Sequence, residues 1–338
     1  MRRAFSPGRL LALGLVLLAV FLGLLVLPSD DYIFLPDQAH PVAPLVTVPG
    51  GHDPRVGGIY YVDVIVRRAK LLEKLFGGLH EGADLYPASA VNPPGVDDQQ
   101  RRRIDLEDMQ NSQVVAAAVA LKAAGKQVTS RPVGAKIEAV QPGKPAVGKL
   151  QPDDVITAVD GDRVTTPADV FTAMRPRSPG DIVAFTVRRG TKTLVKRIRT
   201  VAADDGTKRA VVGVLLEPAL DIHLPIDVRI NAGGVGGPSA GLAFALDILA
   251  ELGRNILHGK KVAATGEILP NGTVGPIGGI KQKTIGARET HVDAFLVPAG
   301  DNAREARRYA GGLRIVPVHN FRQALQALAT LAPARENA

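Results

Sequence analysis

The spacing of apolar side chains predicts three kinds of structure along the chain. Residues 10–27 form an uninterrupted apolar run, which predicts one long helix. Short runs in which apolar and polar positions alternate predict a strand-rich block over residues 128–202. From 208 to 335, strand patterns alternate with stretches in which apolar residues recur at helical spacing. The intervening residues 31–127 combine a proline- and glycine-rich linker with isolated strand and helix patterns.

The apolar run at residues 10–27 predicts a membrane anchor. At 1.5 Å per residue it would form a helix of about 27 Å, close to the hydrocarbon thickness of a bilayer. Arginines precede the run and Asp30 and Asp31 follow it, so we expect a cytoplasmic N-terminus and extracytoplasmic domains. A cleaved signal peptide is the alternative, but no small-x-small cleavage site lies near residues 26–28. We expect a single-pass cell-membrane protein that contacts the lipid bilayer through residues 10–27.

The predicted fold class is α+β with several domains, and it includes that N-terminal transmembrane helix. Residues 1–30 would be the cytoplasmic tip and anchor, and residues 31–127 a linker and N-terminal region. Residues 128–202 would form a β-rich domain. Residues 208–335 would form a last α/β domain, which lacks the regular βαβ repeat of dinucleotide-binding folds.

The amino-acid composition excludes several classes of function. The 338 residues contain no cysteine, which excludes disulfides, thiolate catalysis and cysteine-bound metals. The net charge is +8, but basic residues are interspersed with acidic ones and aromatic residues make up only 4%. Such a surface suits anionic lipid better than nucleic acid, so no nucleic-acid partner is expected. We also expect no metal and no cofactor.

A glycine-rich segment at residues 233–241 carries the first candidate chemistry. A strand pattern precedes it and a helix pattern follows it, so Ser239 would lie at a helix N-terminus. Free N–H groups and the positive end of the helix dipole meet there, and both would stabilise an oxyanion. Ser239 is therefore a candidate nucleophile, and the alternative is a serine that only caps the helix.

The β-rich block carries an ordered run from Gly134 to Gly161. This run resembles the PDZ domains of bacterial proteases, with departures at Lys149 and Asp153. The resemblance implies peptide ligands that bind as an added strand. It places the peptide-binding loop at Val133, Gly134 and Ala135.

Three further motifs occur in order in the last domain: G-P-S-A-G at 237–241, T-G-E at 265–267 and G-x-V-x-P-I-G-G-x-K-x-K at 272–283. Together they resemble the proteolytic domain of Lon proteases over residues 208–330. An N-terminal anchor, a PDZ domain and this domain together resemble the membrane-anchored Lon-like PDZ proteases of Gram-positive bacteria.

The resemblance implies a Ser–Lys dyad of Ser239 and Lys283, with Thr265 orienting the lysine amine. Ser239 itself and Gly237 or Gly236 would supply the oxyanion N–H groups, because Pro238 has none. Many Lon proteases carry an acidic residue where this chain has Gly236, a difference that bears on gating. The resemblance also implies a hexameric homo-oligomer and peptide or unfolded protein substrates. No G-x-x-x-x-G-K-[ST] motif occurs, so ATP-independent hydrolysis is expected.

Two other functions remain open from the sequence. One is a non-catalytic PDZ tether whose protease-like fold serves as a scaffold. The other is an esterase, because residues 237–241 also fit G-x-S-x-G, and Asp293 and His319 follow in the order that such enzymes need.

Helical spacing distinguishes Lys283 from Lys281 as the base. In a helix that begins near Ile280, positions 280, 283 and 287 share one face, and Ile280 and Ala287 are apolar. Lys283 is therefore expected to be buried, with a lowered pKa, while Lys281 stays in water.

Overall fold

The computed structural model describes residues 7–51, 57–92 and 97–331. The chain forms two compact units: residues 1–126 with 226–338 make unit 1, and residues 127–225 make unit 2. The first segment of unit 1 contains, in chain order, α1 Pro7–Val26, β1 Pro28–Pro41, β2 Val46–Thr47, β3 Gly58–Lys70, α2 Leu71–Leu75, β4 Asp84–Pro87, α3 Ala88–Val91 and α4 Asp98–Ala123.

Unit 2 is built from strands with one helix. In chain order its elements are β5 Thr129–Val140, β6 Val155–Val159, β7 Asp162–Arg163, α5 Pro167–Met174, β8 Ile182–Arg189, β9 Lys192–Arg199, β10 Val201–Ala202, β11 Ala210–Val211 and β12 Val214–His223.

The second segment of unit 1 alternates strands and helices. Its elements are β13 Arg229–Ile230, α6 Gly241–Glu251, β14 Lys261–Ala264, β15 Glu267–Ile268, β16 Val274–Gly275, α7 Ile280–Glu289, β17 Ala294–Pro298, α8 Asp301–Tyr309, β18 Ile315–Val318 and α9 Phe321–Ala329.

The predicted transmembrane anchor is wrong. No helix in the described ranges is long and apolar enough to cross a membrane. Helix α1 ends at Val26, and β1 begins at Pro28. The Leu27 carbonyl accepts a hydrogen bond from the N–H of Leu71 in α2. The fold class is corrected accordingly: it is mixed α/β, with no transmembrane helix among the described residues, and the predicted single-pass membrane location is not supported.

One mixed sheet organises unit 1, with strand order β18-β17-β14-β3-β1-β4. Strand β3 pairs in parallel with β14, which pairs in parallel with β17, while β1 runs antiparallel to β3. Residues 31–127 and residues 208–335 are expected from sequence to be separate regions. In the structure three of the six strands come from the former and three from the latter.

Helices α4, α6 and α7 position the polar groups described below. Every residue of α6 is buried, and α4 packs against it through a run of buried alanines. Helix α7 lies directly on β1 at Gly286, where a Cβ atom would overlap the carbonyl oxygen of Asp37. Glycine is therefore required for this close approach, and it holds α7 at a fixed height above the sheet.

Unit 2 has its own sheet, in the order β12-β5-β6-β8-β9, with β7 paired to β6. Its core is formed by apolar side chains that face inward from these strands and from α5, among them Ile137, Ile156 and Phe185. The carboxylate of Asp154 is fully buried and accepts two hydrogen bonds from the Arg189 guanidinium, at 2.6 and 2.7 Å. This pairing compensates the burial of the charge.

Candidate active site

Ser239 lies in a short 3₁₀ turn, Pro238–Ala240, that runs directly into α6. The turn is fixed by the Ser239 carbonyl, which accepts hydrogen bonds from the Gly266 N–H at 2.8 Å and from the Thr265 hydroxyl at 3.1 Å. Ser239 itself is half-buried. The glycine-rich segment thus presents a hydroxyl at the start of a buried helix.

Lys283 reaches this hydroxyl from α7. Ile280, Lys283 and Ala287 share the buried face of that helix, as their spacing predicts, and Lys283 is only 4% exposed. Its Nζ lies 2.6 Å from Oγ of Ser239, within hydrogen-bond distance. The two residues are 44 positions apart in sequence, so the packing of α7 against the sheet brings them together.

Burial changes the protonation of this lysine. Removal of its amine from water lowers the pKa of Lys283 from 10.5 to about 8, because a buried ammonium loses its hydration. The Asp63 carboxylate opposes that shift and raises the pKa. A substantial fraction of the amine is therefore neutral near pH 8 and can accept a proton from Ser239.

Thr265 connects the two side chains. It follows β14 and is fully buried, and its hydroxyl lies 3.4 Å from Nζ of Lys283. The same hydroxyl donates to the Ser239 carbonyl. Thr265 therefore fixes the lysine amine and the turn that carries the serine relative to each other.

The two glycines expected to donate to the oxyanion both lie against α4. The N–H of Gly237 already donates to the main-chain carbonyl of Asp105 in α4, at 2.7 Å. Gly236 lies so close to α4 that a Cβ atom would come 2.7 Å from Cβ of Asp105. The acidic residue that many relatives are expected to carry at this position has no room here.

The environment of Lys281 differs from the prediction, which placed its ammonium group in water. Its side chain is 18% exposed, and its Nζ donates to the Asp84 carboxylate at 2.8 Å and lies 3.3 Å from the Ala83 carbonyl. Lys281 thus forms a partly covered ion pair on the face of α7 that points away from Ser239.

The residues of the esterase alternative are not brought to Ser239. His319 is exposed, and its main-chain N–H donates to Oε1 of Gln323. The Asp293 carboxylate accepts hydrogen bonds from the Lys261 N–H at 2.8 Å and from Nζ of Lys260 at 3.5 Å. In the ranges that the structure covers, the side chain hydrogen bonded to Oγ of Ser239 is that of Lys283.

The predicted peptide-binding residues of unit 2 lie inside its sheet. Val133, Gly134 and Ala135 belong to β5, which pairs with β12 on one side and with β6 on the other. An added strand has no free edge at that point. Strand β12 is one of the two terminal strands of the described sheet, and a cavity of about 610 Å³ lies beside it, lined by Phe171 and Met174 of α5 and by Val214 and Leu216 of β12.

A second polar cluster lies on β1 and β3, where sequence reasoning found none. The ligand-type atoms of Asp37, His40 and Asp63 lie within 4.8 Å of one another. Burial and the Asp37 carboxylate raise the pKa of Asp63, and His40 opposes that shift. One imidazole nitrogen and two carboxylate oxygens could hold a divalent cation. Because β1 and β3 pair only in the folded sheet, spacing along the chain gave no signal for this cluster.

Comparison with known families gives two matches. Residues 209–330 match the Lon protease (S16) C-terminal proteolytic domain, and residues 105–200 match the PDZ domain. Lon protease 1 of Sorangium cellulosum is 33% identical over 125 residues, which cover 34% of this chain and 15% of that protein. Lon protease of Azorhizobium caulinodans is 31% identical over 184 residues, which cover 53% of this chain and 21% of that protein.

The chain thus spans about a fifth of the length of these relatives. Among solved structures, the PDZ domain of the SdrC-like protein from Listeria monocytogenes covers 25% of this chain and 87% of its own, at 24% identity and a TM-score of 0.24. The family matches support a serine-type endopeptidase that carries a PDZ domain.

Proposed function

We propose that this chain hydrolyses peptide bonds with Ser239 as nucleophile and Lys283 as general base. The observation that carries the proposal is the 2.6 Å contact between Oγ of Ser239 and Nζ of a lysine that is almost completely buried. A serine hydroxyl needs a base to become nucleophilic, and a desolvated lysine is a suitable one.

The reaction follows from this geometry. The neutral amine of Lys283 takes the proton of the Ser239 hydroxyl while Oγ forms a bond to the substrate carbonyl carbon. The negative charge that develops on the carbonyl oxygen is stabilised by the Ser239 N–H at the start of α6. When the C–N bond breaks, the Lys283 ammonium returns its proton to the leaving amine. Water then attacks the acyl ester, again with Lys283 as base, and restores Ser239.

Two single substitutions test the catalytic proposal. Ser239→Ala and Lys283→Ala should each abolish cleavage of a fluorogenic peptide, and a fluorophosphonate probe should label wild type but not Ser239→Ala. Thermal melting of both variants shows whether unit 1 still folds. If the Lys283→Ala variant keeps wild-type turnover, the dyad is not the catalytic device. If wild type neither cleaves peptides nor takes the probe, the scaffold alternative holds.

We also propose that hydrolysis needs no nucleotide and acts on unfolded proteins and flexible peptides. Both proposed reacting groups lie in unit 1 and contact each other directly. Turnover of an unfolded protein should be the same with and without ATP and magnesium. The hexamer implied by the resemblance is a further proposal, and sedimentation velocity of the full chain measures it directly.

The PDZ-like unit is proposed to capture extended segments of the substrate in the groove between α5 and β12. A strand at the end of a sheet can accept a peptide as an additional strand. Phe171 lines this groove and is 61% exposed, so Phe171→Asp should leave the fold intact. The variant should slow turnover of an unfolded protein and leave short-peptide cleavage unchanged.

Val195→Asp is the matched control, because Val195 is equally exposed but lies on β9 at the other end of the sheet. Equal loss in both variants would assign the effect to the added charge and not to the groove.

A further inference from the structure

Helix α4 contacts the segment before Ser239 at three points. Nη2 of Arg102 donates to the Gly234 carbonyl at 2.7 Å, and the Asp105 carbonyl accepts from the Gly237 N–H at 2.7 Å. The hydroxyl of Ser112 donates to the Pro238 carbonyl at 3.0 Å. Every second peptide group from Gly234 to Ser239 is therefore hydrogen bonded to α4.

These contacts come from a single face of α4. Residues 102, 105, 109 and 112 are three or four apart, and Met109 between them is buried. The fit is tight: a Cβ atom at Gly241 would come 2.6 Å from Oγ of Ser112. Glycine at 241 therefore allows α4 to approach the turn this closely, and the three hydrogen bonds tie the path of the segment to α4.

The Ser112 contact fixes more than the carbonyl that it touches. The Pro238 carbonyl also accepts the Gly241 N–H, so its direction is set from two sides. A trans peptide group is planar, and its N–H points opposite to its C=O. Fixing the Pro238 carbonyl toward α4 therefore directs the Ser239 N–H away from α4.

We propose that Ser112 is a positioning residue that orients the Ser239 N–H toward the carbonyl oxygen of the substrate. The inference rests on the proposed peptidase function, in which that N–H stabilises the oxyanion. Ser112 acts through the peptide group and touches no reacting atom. Its contribution should appear in the chemical step, because the oxyanion forms only there.

Ser112→Ala removes the hydroxyl without adding volume. In a fluorogenic peptide assay, kcat should fall roughly 10- to 100-fold, while KM changes less than about threefold. A peptide boronic acid places a boronate oxygen where the oxyanion forms, so its affinity should weaken by a factor similar to the loss in kcat. All rates are expressed per site labelled by the fluorophosphonate probe, which removes any contribution from misfolded protein.

Thr200→Val is the matched control for a lost hydroxyl. Thr200 is also buried and donates to a main-chain carbonyl, that of Ser178, but it belongs to unit 2. Its kcat and boronate affinity should match wild type.

The inference is overturned if the Ser112→Ala variant turns over within twofold of wild type per labelled site. It is equally overturned if KM rises while kcat stays within twofold of wild type, since the hydroxyl would then serve substrate binding and not the chemical step. Loss of Ser239-dependent hydrolysis in wild type would instead remove the proposed function, and the inference with it.

If the Ser112→Ala variant does not fold, a variant of Arg102 still tests whether α4 positions the segment before Ser239. Arg102 is exposed, so Arg102→Gln should fold and release the Gly234 carbonyl. Because Gly234 lies farther from Ser239, we expect a smaller loss in kcat, about threefold to tenfold. Arg103→Gln removes the same charge from the neighbouring exposed position and should leave kcat unchanged. Equal kcat in the two arginine variants would contradict the positioning role of α4.

Discussion

Two faces of α7 place lysines in opposite environments, two positions apart. Lys283 is buried without a carboxylate within ion-pair distance in the described structure, and its pKa falls to about 8. Lys281 is also mostly covered, but the Asp84 carboxylate lies 2.8 Å from its Nζ. Burial lowers the pKa of Lys283, whereas the structure gives Nζ of Lys281 a carboxylate partner in Asp84. The two lysines therefore differ in what each Nζ contacts: Oγ of Ser239 for Lys283, and the Asp84 carboxylate for Lys281.

The largest expected effect comes from replacing each of these two lysines by alanine. Lys283→Ala should lower kcat by about 10³-fold or more, because no other base contacts Ser239 in the described structure. Lys281→Ala should keep kcat within about threefold of wild type, since its contact is to Asp84. Steady-state kinetics of both variants measures the contrast, and a larger loss in Lys281→Ala would reverse the assignment.

The lowered pKa of Lys283 should also make the free energy of unfolding depend on pH. The folded-state pKa of Lys283 is below its unfolded value of 10.5, so the unfolded state binds more protons between about pH 8 and 10.5. Burying the ammonium therefore lowers the free energy of unfolding below pH 8, by about 3 kcal/mol, and this penalty disappears as pH rises toward 10.5.

Lys283→Met should accordingly stabilise the protein at pH 7 and lose most of that advantage by pH 10. Urea unfolding at both pH values measures the change, with Lys281→Met as control. Greater stability at pH 10 than at pH 7 for Lys283→Met, relative to wild type, would contradict the depressed pKa.

A smaller effect is expected at the hydroxyl that holds the buried lysine. Thr265→Val should lower kcat by about tenfold, because the Lys283 amine and the Ser239 carbonyl lose a shared partner. Thr265→Ser retains that hydroxyl and should recover most of the activity. If Thr265→Ser is as impaired as Thr265→Val, the methyl group rather than the hydroxyl matters.

The smallest effect should come from Asp63, whose carboxylate raises the pKa of Lys283. Asp63→Asn removes that charge, so the pH at which activity is half-maximal should move lower, by less than about one pH unit. The full pH profile of kcat/KM measures this shift. A move to higher pH would mean that Asp63 does not act on Lys283 through its charge.

How far the sequence predicts this site depends on the range of each interaction. The face of α7 was predictable because helical spacing is local, and it placed Lys283 among Ile280 and Ala287. The same reasoning left Lys281 in water, because its partner Asp84 lies 197 positions away along the chain. Helical spacing within α4 groups Arg102 and Ser112 with their neighbours, but it does not reveal what that face contacts.

The sheet shows the same limit. The apolar run of β3 was recognisable as a strand, yet its pairing with β14 joins residues about 200 positions apart. At the N-terminus, apolar composition predicted a spanning helix, and none of the described helices meets that expectation. Patterns along the chain predicted secondary-structure elements and motifs, but long-range packing determines which elements contact each other.

The most direct test of the central claim is the pH dependence of Ser239 labelling by a fluorophosphonate. The second-order rate constant should rise with pH and reach half its maximum near pH 8, and Lys281→Ala should show the same midpoint. Thermal stability measured across the same pH range excludes unfolding as the cause. A midpoint near 10.5, or labelling in Lys283→Ala at the wild-type rate, would contradict a buried, neutral Lys283 as the base.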